Sequence, residues 1–181
     1  TLKLSTMTYA LDNGLARVVL NKPDTGNAID GEFCADMNRL SIELSSNPAV
    51  RAVLLTANGR FFSVGGDIRT FTKDRAALPG MVKKWTADLH MGITRLQRMN
   101  APVVTAVQGD VAGGSVSLVA FSDVVYAAEG VKLNAAFSMI GYCADSGSTI
   151  SLSNRMGLSR AKRFLLLSET LTATEALEAG L

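Results

Sequence analysis

Residues 102–122 read PVVTAVQGDVAGGSVSLVAFS. Val103 to Val107 is a run of mainly β-branched residues, the composition of a strand covered on both faces. Gln108-Gly109 turns the chain, and Gly113-Gly114 leave the backbone bare. Ser115 onward to Phe121 is spaced as a short helix of small and apolar residues. Backbone N–H groups near Gly114 would then lie free at a helix N-terminus, where anions and developing negative charge are favoured. Taken alone, the same pattern also suits a tight strand-to-helix turn whose glycines serve close packing.

A second stretch repeats the plan. AVLLTANGRFFSVGGDI, residues 52–68, has an apolar strand, an Asn-Gly turn, a short link, Gly65-Gly66 and the start of a helix. Residues 53–59 align on 103–109 as VLLTANG against VVTAVQG. Two such units can aim the N–H groups of Gly66 and Gly114 at one point. That is what an oxyanion hole needs for a thioester carbonyl passing through an enolate.

FFSVGGDI together with GDVAGGSVSL resembles the paired signature of the crotonase (enoyl-CoA hydratase/isomerase) superfamily, and the resemblance runs over the whole chain. Strand–strand–helix units already make the chain α/β. The resemblance sharpens this to a spiral of ββα turns forming one core domain over 1–181. It also implies a C-terminal helical region, covering the acyl-CoA site and helping to form trimers, that would follow Leu181 and is absent here. The expected substrate is a coenzyme A thioester with no separate cofactor and no metal. The expected assembly is a homotrimer or a dimer of trimers.

Composition agrees with a globular chain. At 48% hydrophobic and 19% charged residues the 181-residue sequence can build a sizeable core and cannot be mainly disordered. No apolar run reaches the roughly 20 residues of a membrane span. A net charge of +2 gives no case for nucleic acid. Cys34 and Cys143 form neither a metal spacing nor a disulfide framework, which suits a reducing, cytoplasmic setting.

Along the chain, strands are expected at 3–12 and 16–20 around the hairpin signal Asn13-Gly14. Asp30 should cap a helix to about residue 45, and residues 81–99 form an amphipathic helix with Val82, Trp85, Leu89, Ile93 and Leu96 on one stripe. Residues 67–74 look like a mobile polar segment. Short strands are expected at 124–128 and 131–134, with an irregular stretch to Gly147. Helices follow at 149–155, 159–167 and 173–179, the last opened by a Thr172/Glu175 capping box.

An oxyanion hole stabilises an enolate but moves no proton, so an acid or base is needed. The resemblance places the two glutamates of the family's hydratases at Ser117 and Phe137, and neither side chain exchanges a proton near neutral pH. Asp145, in CADSGST, is the best replacement. The family's isomerase of ring-opened or epoxidised phenylacetyl-CoA is similar here, and its 4-chlorobenzoyl-CoA dehalogenase has a nucleophilic aspartate at the matching position. Burial would raise the pKa of such a carboxyl towards neutrality. An N-cap for the following helix is the plain structural reading of Asp145.

His90, the single histidine, matches the dehalogenase's water-activating residue, although a partly buried place on a helix face explains it as well. The resemblance further implies that Ala28, Val64, Gly65, Asp67, Ile68, Arg69 and Gly113 surround the coenzyme A and thioester. Val64 and Gly65 would supply adenine-contacting backbone, and Arg69, with Lys22 and Lys73, would meet phosphates. Phe137, Ile140 and Tyr142 would face the acyl group. Asp67 reads more simply as the cap of a helix from Ile68. The reaction expected first is a double-bond shift with Asp145 as base. Alternatives are hydrolytic dehalogenation by Asp145 and His90, and a non-catalytic acyl-CoA binder. A dinucleotide site fails on glycine spacing, and a serine hydrolase built on Ser115 or Ser117 lacks further triad signal.

Overall fold

A computed structural model describes residues 2–181. β1 (Met7–Asp12) and β2 (Leu15–Leu20) form an antiparallel hairpin about Asn13 and Gly14, whose φ values of +48° and +85° suit an Asn-Gly turn. The first strand starts at Met7 rather than near Lys3. The Asp36 carboxylate takes the Ser5 and Thr6 amides, at 2.7 and 2.8 Å, which removes them from any ladder.

β2 pairs in parallel with β3 (Ala52–Ala57), β3 with β4 (Val103–Val107), and β4 with β6 (Val124–Ala127). Val53 lies opposite Val103 and Leu54 opposite Val104, the same alignment that the internal repeat gives. Each of these strands is followed by a second extended piece one layer away. These pieces are Ile29, residues 63–66, β5 (Val111–Ala112) and β7 (Lys132–Asn134). Ile29 bridges Gly66, Ser63 bridges Val111, and β5 pairs with β7, all in parallel. β8 (Thr170–Thr172) closes this layer in antiparallel fashion. Every turn thus adds one rung to each of two layers and then a helix, a spiral of ββα units. β5 and β8 escaped the sequence reading because two or three residues show no alternation.

The helices are α1 (Gly31–Ser46), α2 (Ile68–Lys73), α3 (Leu78–Arg98), α4 (Ser115–Ala120), α5 (Ser148–Met156), α6 (Leu158–Leu167) and α7 (Ala173–Glu178). The polar segment expected to be mobile is α2, with Asp67 as its cap. α3 buries Leu89, Gly92, Ile93 and Leu96 at helical spacing, each large side chain contributing roughly 1.5–3 kcal/mol. A Cβ on Gly92 would lie 3.2 Å from the backbone of Met37, so the glycine lets α3 rest directly on α1. The Thr172/Glu175 capping box opens α7. Among the described residues no helix is long and apolar enough to cross a membrane.

Candidate active site

The rungs of the second layer set the two glycine pairs side by side. A Cβ on Gly65, at φ +82°, would fall 2.5 Å from the Ala112 carbonyl oxygen and 3.1 Å from the Gly113 Cα. Only glycine allows that approach. Ile29 donates to the Gly65 carbonyl and Asp67 donates to the Ile29 carbonyl, at 2.8 and 3.0 Å, which leaves the Gly66 N–H between them with no acceptor among the described residues. The Gly114 N–H, at the start of α4, also has no acceptor among the described residues. Asn27 locks this arrangement. Its side chain accepts from the Lys22 amide and donates to the carbonyls of Asn58, Phe61 and Phe62, tying the first turn of the spiral to the second.

Gly66 and Gly114 open onto one cavity of about 230 Å³. Its walls are apolar: Ile29 and Cys34 below, Leu89, Trp85 and Val82 from α3, and Phe137 and Ile140 from the stretch before α5. Phe71 of α2 stacks on Tyr142 at 5.5 Å and meets Trp85 at 5.9 Å, so three aromatic rings from three segments close one side. Burial pushes the Cys34 thiol up to about 12, which keeps it protonated and inert.

Asp145 is the single charged side chain lining the cavity among the described residues. Burial raises its carboxyl above the ordinary value, and the hydrogen bond from the Ser146 hydroxyl only partly opposes that. A Cβ on Gly114 would lie 3.6 Å from Asp145 Oδ1, so the carboxylate stands beside the free amide. The N-cap reading of Asp145 does not hold. Gly147 occupies the position before α5 with no side-chain cap, and among the described residues the Asp145 side chain accepts from Ser146 Oγ, at 3.0 Å, and from no amide of α5. Two cavity residues, Ala136 and Ser146, have φ near +55°, a left-handed conformation that such residues seldom adopt.

Of the residues expected from sequence, Gly66, Gly113, Gly114, Val64, Ile68, Phe137, Ile140, Tyr142 and Asp145 line this cavity. Ala28 is buried between Asn27 and Ile29, and Gly65 is sealed against Ala112; neither reaches it. Asp67 caps α2 and accepts from Thr70 Oγ1 at 2.7 Å, while Arg69 lies 3.5 Å from it and points to solvent. Lys22 is held by Asp30 and Glu32. His90 does not line the cavity, and its Nε2 accepts the Ser146 amide at 2.9 Å, which leaves that nitrogen no lone pair with which to activate water. Cys34, Phe71 and Ser146 were missed. The apolar stripe of α3 was visible, but nothing in the sequence told which part of it faces a cavity rather than the core.

The profile of the enoyl-CoA hydratase/isomerase family matches residues 10–181. The chain belongs to that family. It is 30% identical over 96% of its length to a trans-2-decenoyl-[acyl-carrier-protein] isomerase of Streptococcus mutans, of which it covers 66%. Among solved structures, an enoyl-CoA hydratase/isomerase of Mycobacterium paratuberculosis superposes with a TM-score of 0.91 at 31% identity, covering 99% of this chain and 72% of that one. An enoyl-CoA hydratase of Mycobacterium avium subsp. paratuberculosis gives 0.89 at 28%, covering 100% and 71%. The chain spans about two thirds of the length of the curated relatives it matches, 66% and 67% for the first two. These enoyl-CoA hydratase/isomerase relatives carry hydratase and isomerase names alike.

Proposed function

We propose that the protein shifts a double bond in an acyl-CoA thioester. The thioester carbonyl would accept hydrogen bonds from the Gly66 and Gly114 amides, which hold the enolate. Asp145 would take a proton from one carbon and return it to another. The observation that carries this reading is that the cavity's single charged group is a half-buried carboxylate with a raised pKa, standing beside one of two free amides. Ser117, fully buried and bonded through its hydroxyl to the Asp145 carbonyl, and apolar Phe137 offer no second carboxylate to hold a water, which favours isomerisation over hydration. The walls suit an apolar acyl group.

The test is turnover of enoyl-CoA isomers in deuterated water. Asp145→Asn keeps the shape and removes the base, so deuterium entry should fall by roughly two or more orders of magnitude with affinity little changed. Equal deuterium entry with both proteins overturns the assignment, and no entry with either makes the protein a binder.

A further inference from the structure

Asp145 sits in a turn that is gripped from two sides. Its carbonyl accepts from Ser148 N, Ser148 Oγ and, across from α4, Ser117 Oγ, at 2.9, 2.7 and 3.4 Å. Ser146 follows it in the left-handed conformation, φ +53°, and is 2% exposed. In that conformation the Ser146 amide points at α3 and donates to His90 Nε2 at 2.9 Å, while its hydroxyl donates to Asp145 Oδ1 at 3.0 Å. An acceptor nitrogen carries no proton, so the ring proton of His90 sits on Nδ1.

We propose that His90 is a positioning residue: a neutral acceptor on α3 that fixes the Ser146 amide and thereby aims the Asp145 carboxylate at the space beside Gly114. Without it, a buried N–H loses its partner and the strained turn loses the contact that favours its left-handed form. The carboxylate then swings away from the amide, and a misplacement of about 1 Å is enough for a hundredfold loss. The role differs from that of a base for water, which needs the same lone pair free. The inference rests on Asp145 being the base.

Three substitutions and one spectrum test it. His90→Phe keeps a ring without a lone pair, and His90→Gln restores an acceptor at similar reach. His90→Phe should lower kcat by about tenfold to a hundredfold with KM within about twofold, and His90→Gln should recover most of the loss. Equal losses in both, or none in His90→Phe, overturn the positioning role. Asp145→Asn separates the two readings, because full activity there sinks the assigned base and not the contact. The contact is decided without turnover by the nitrogen-15 spectrum of the single histidine. Nε2 should resonate as an unprotonated nitrogen at neutral pH in wild type and in Asp145→Asn, and a protonated Nε2 overturns the proposal.

Discussion

Gly114 has φ −58° and ψ −20°, angles that proline and alanine both adopt, and a Cβ there meets nothing nearer than 3.6 Å. The two substitutions therefore separate space from hydrogen bonding. Gly114→Ala keeps the amide and should retain most turnover, whereas Gly114→Pro deletes it and should lower kcat by roughly a hundredfold or more, about 3 kcal/mol of barrier. Steady-state kinetics on folded variants checks this. Asp145 carries a second expectation. Its carboxyl is raised by burial, so the basic form appears only above the usual carboxylate value of about 4, and kcat/KM should climb with pH through that higher window. The folded protein holds this proton more tightly than the unfolded chain does. Stability from this group is therefore present at low pH and lost as pH rises through the raised pKa, and Asp145→Asn should be the more heat-stable protein at neutral pH.

Elements were legible where their period is long. α1, with its Asp30 cap, and the stripe of α3 stood in the sequence nearly as they fold. Where tertiary partners decide, the sequence was mute. Asp36 looks like any helix residue, yet its fully buried carboxylate joins α1 to the segment just before β1 through Ser5 and Thr6, and Arg39 pairs with it from the next turn of α1. Burial works to raise that carboxyl, but the Thr6 and Ser5 amides, the Thr6 hydroxyl and Arg39 outweigh it and hold it below its usual value. Its contribution is therefore present above the ordinary carboxylate pKa and lost as pH falls through the depressed one. Asp36→Asn should cost about 1.5–3 kcal/mol at neutral pH, read by denaturant unfolding, and should flatten the acid side of the stability profile. Asn27 likewise looks like any polar loop residue, because its three hydrogen bonds to the distant carbonyls of Asn58, Phe61 and Phe62 leave no local trace.

At the scale of the whole molecule, the spiral came from the family resemblance, and the internal repeat agrees with it, because parallel register and sequence alignment coincide at Val53 and Val103. The cavity was half legible. Its glycines and Asp145 belong to compact motifs, while its aromatic wall is assembled from α2, α3 and the stretch before α5 by packing alone. Outside the cavity, α5, α6 and α7 expose Ile150, Leu158, Leu166, Leu167 and Leu177, apolar surface that an oligomer would remove from water. We propose a homotrimer or a dimer of trimers, and sedimentation of the full-length protein showing only monomer would refute it.

The contact between Gly65 and the Ala112 backbone also bears on how such a chain can diversify. No side chain fits there, so inheritance can change nothing at that point without parting two rungs. Phe71, Trp85 and Tyr142 are bound by no such limit, since Phe71 meets the other two ring against ring from separate segments, with no backbone in close approach. New substrate preferences would then arise by drift in the aromatic wall over a frozen glycine column. In a saturation mutagenesis library selected for folding, Gly65 should be nearly invariant and Tyr142 among the most permissive positions.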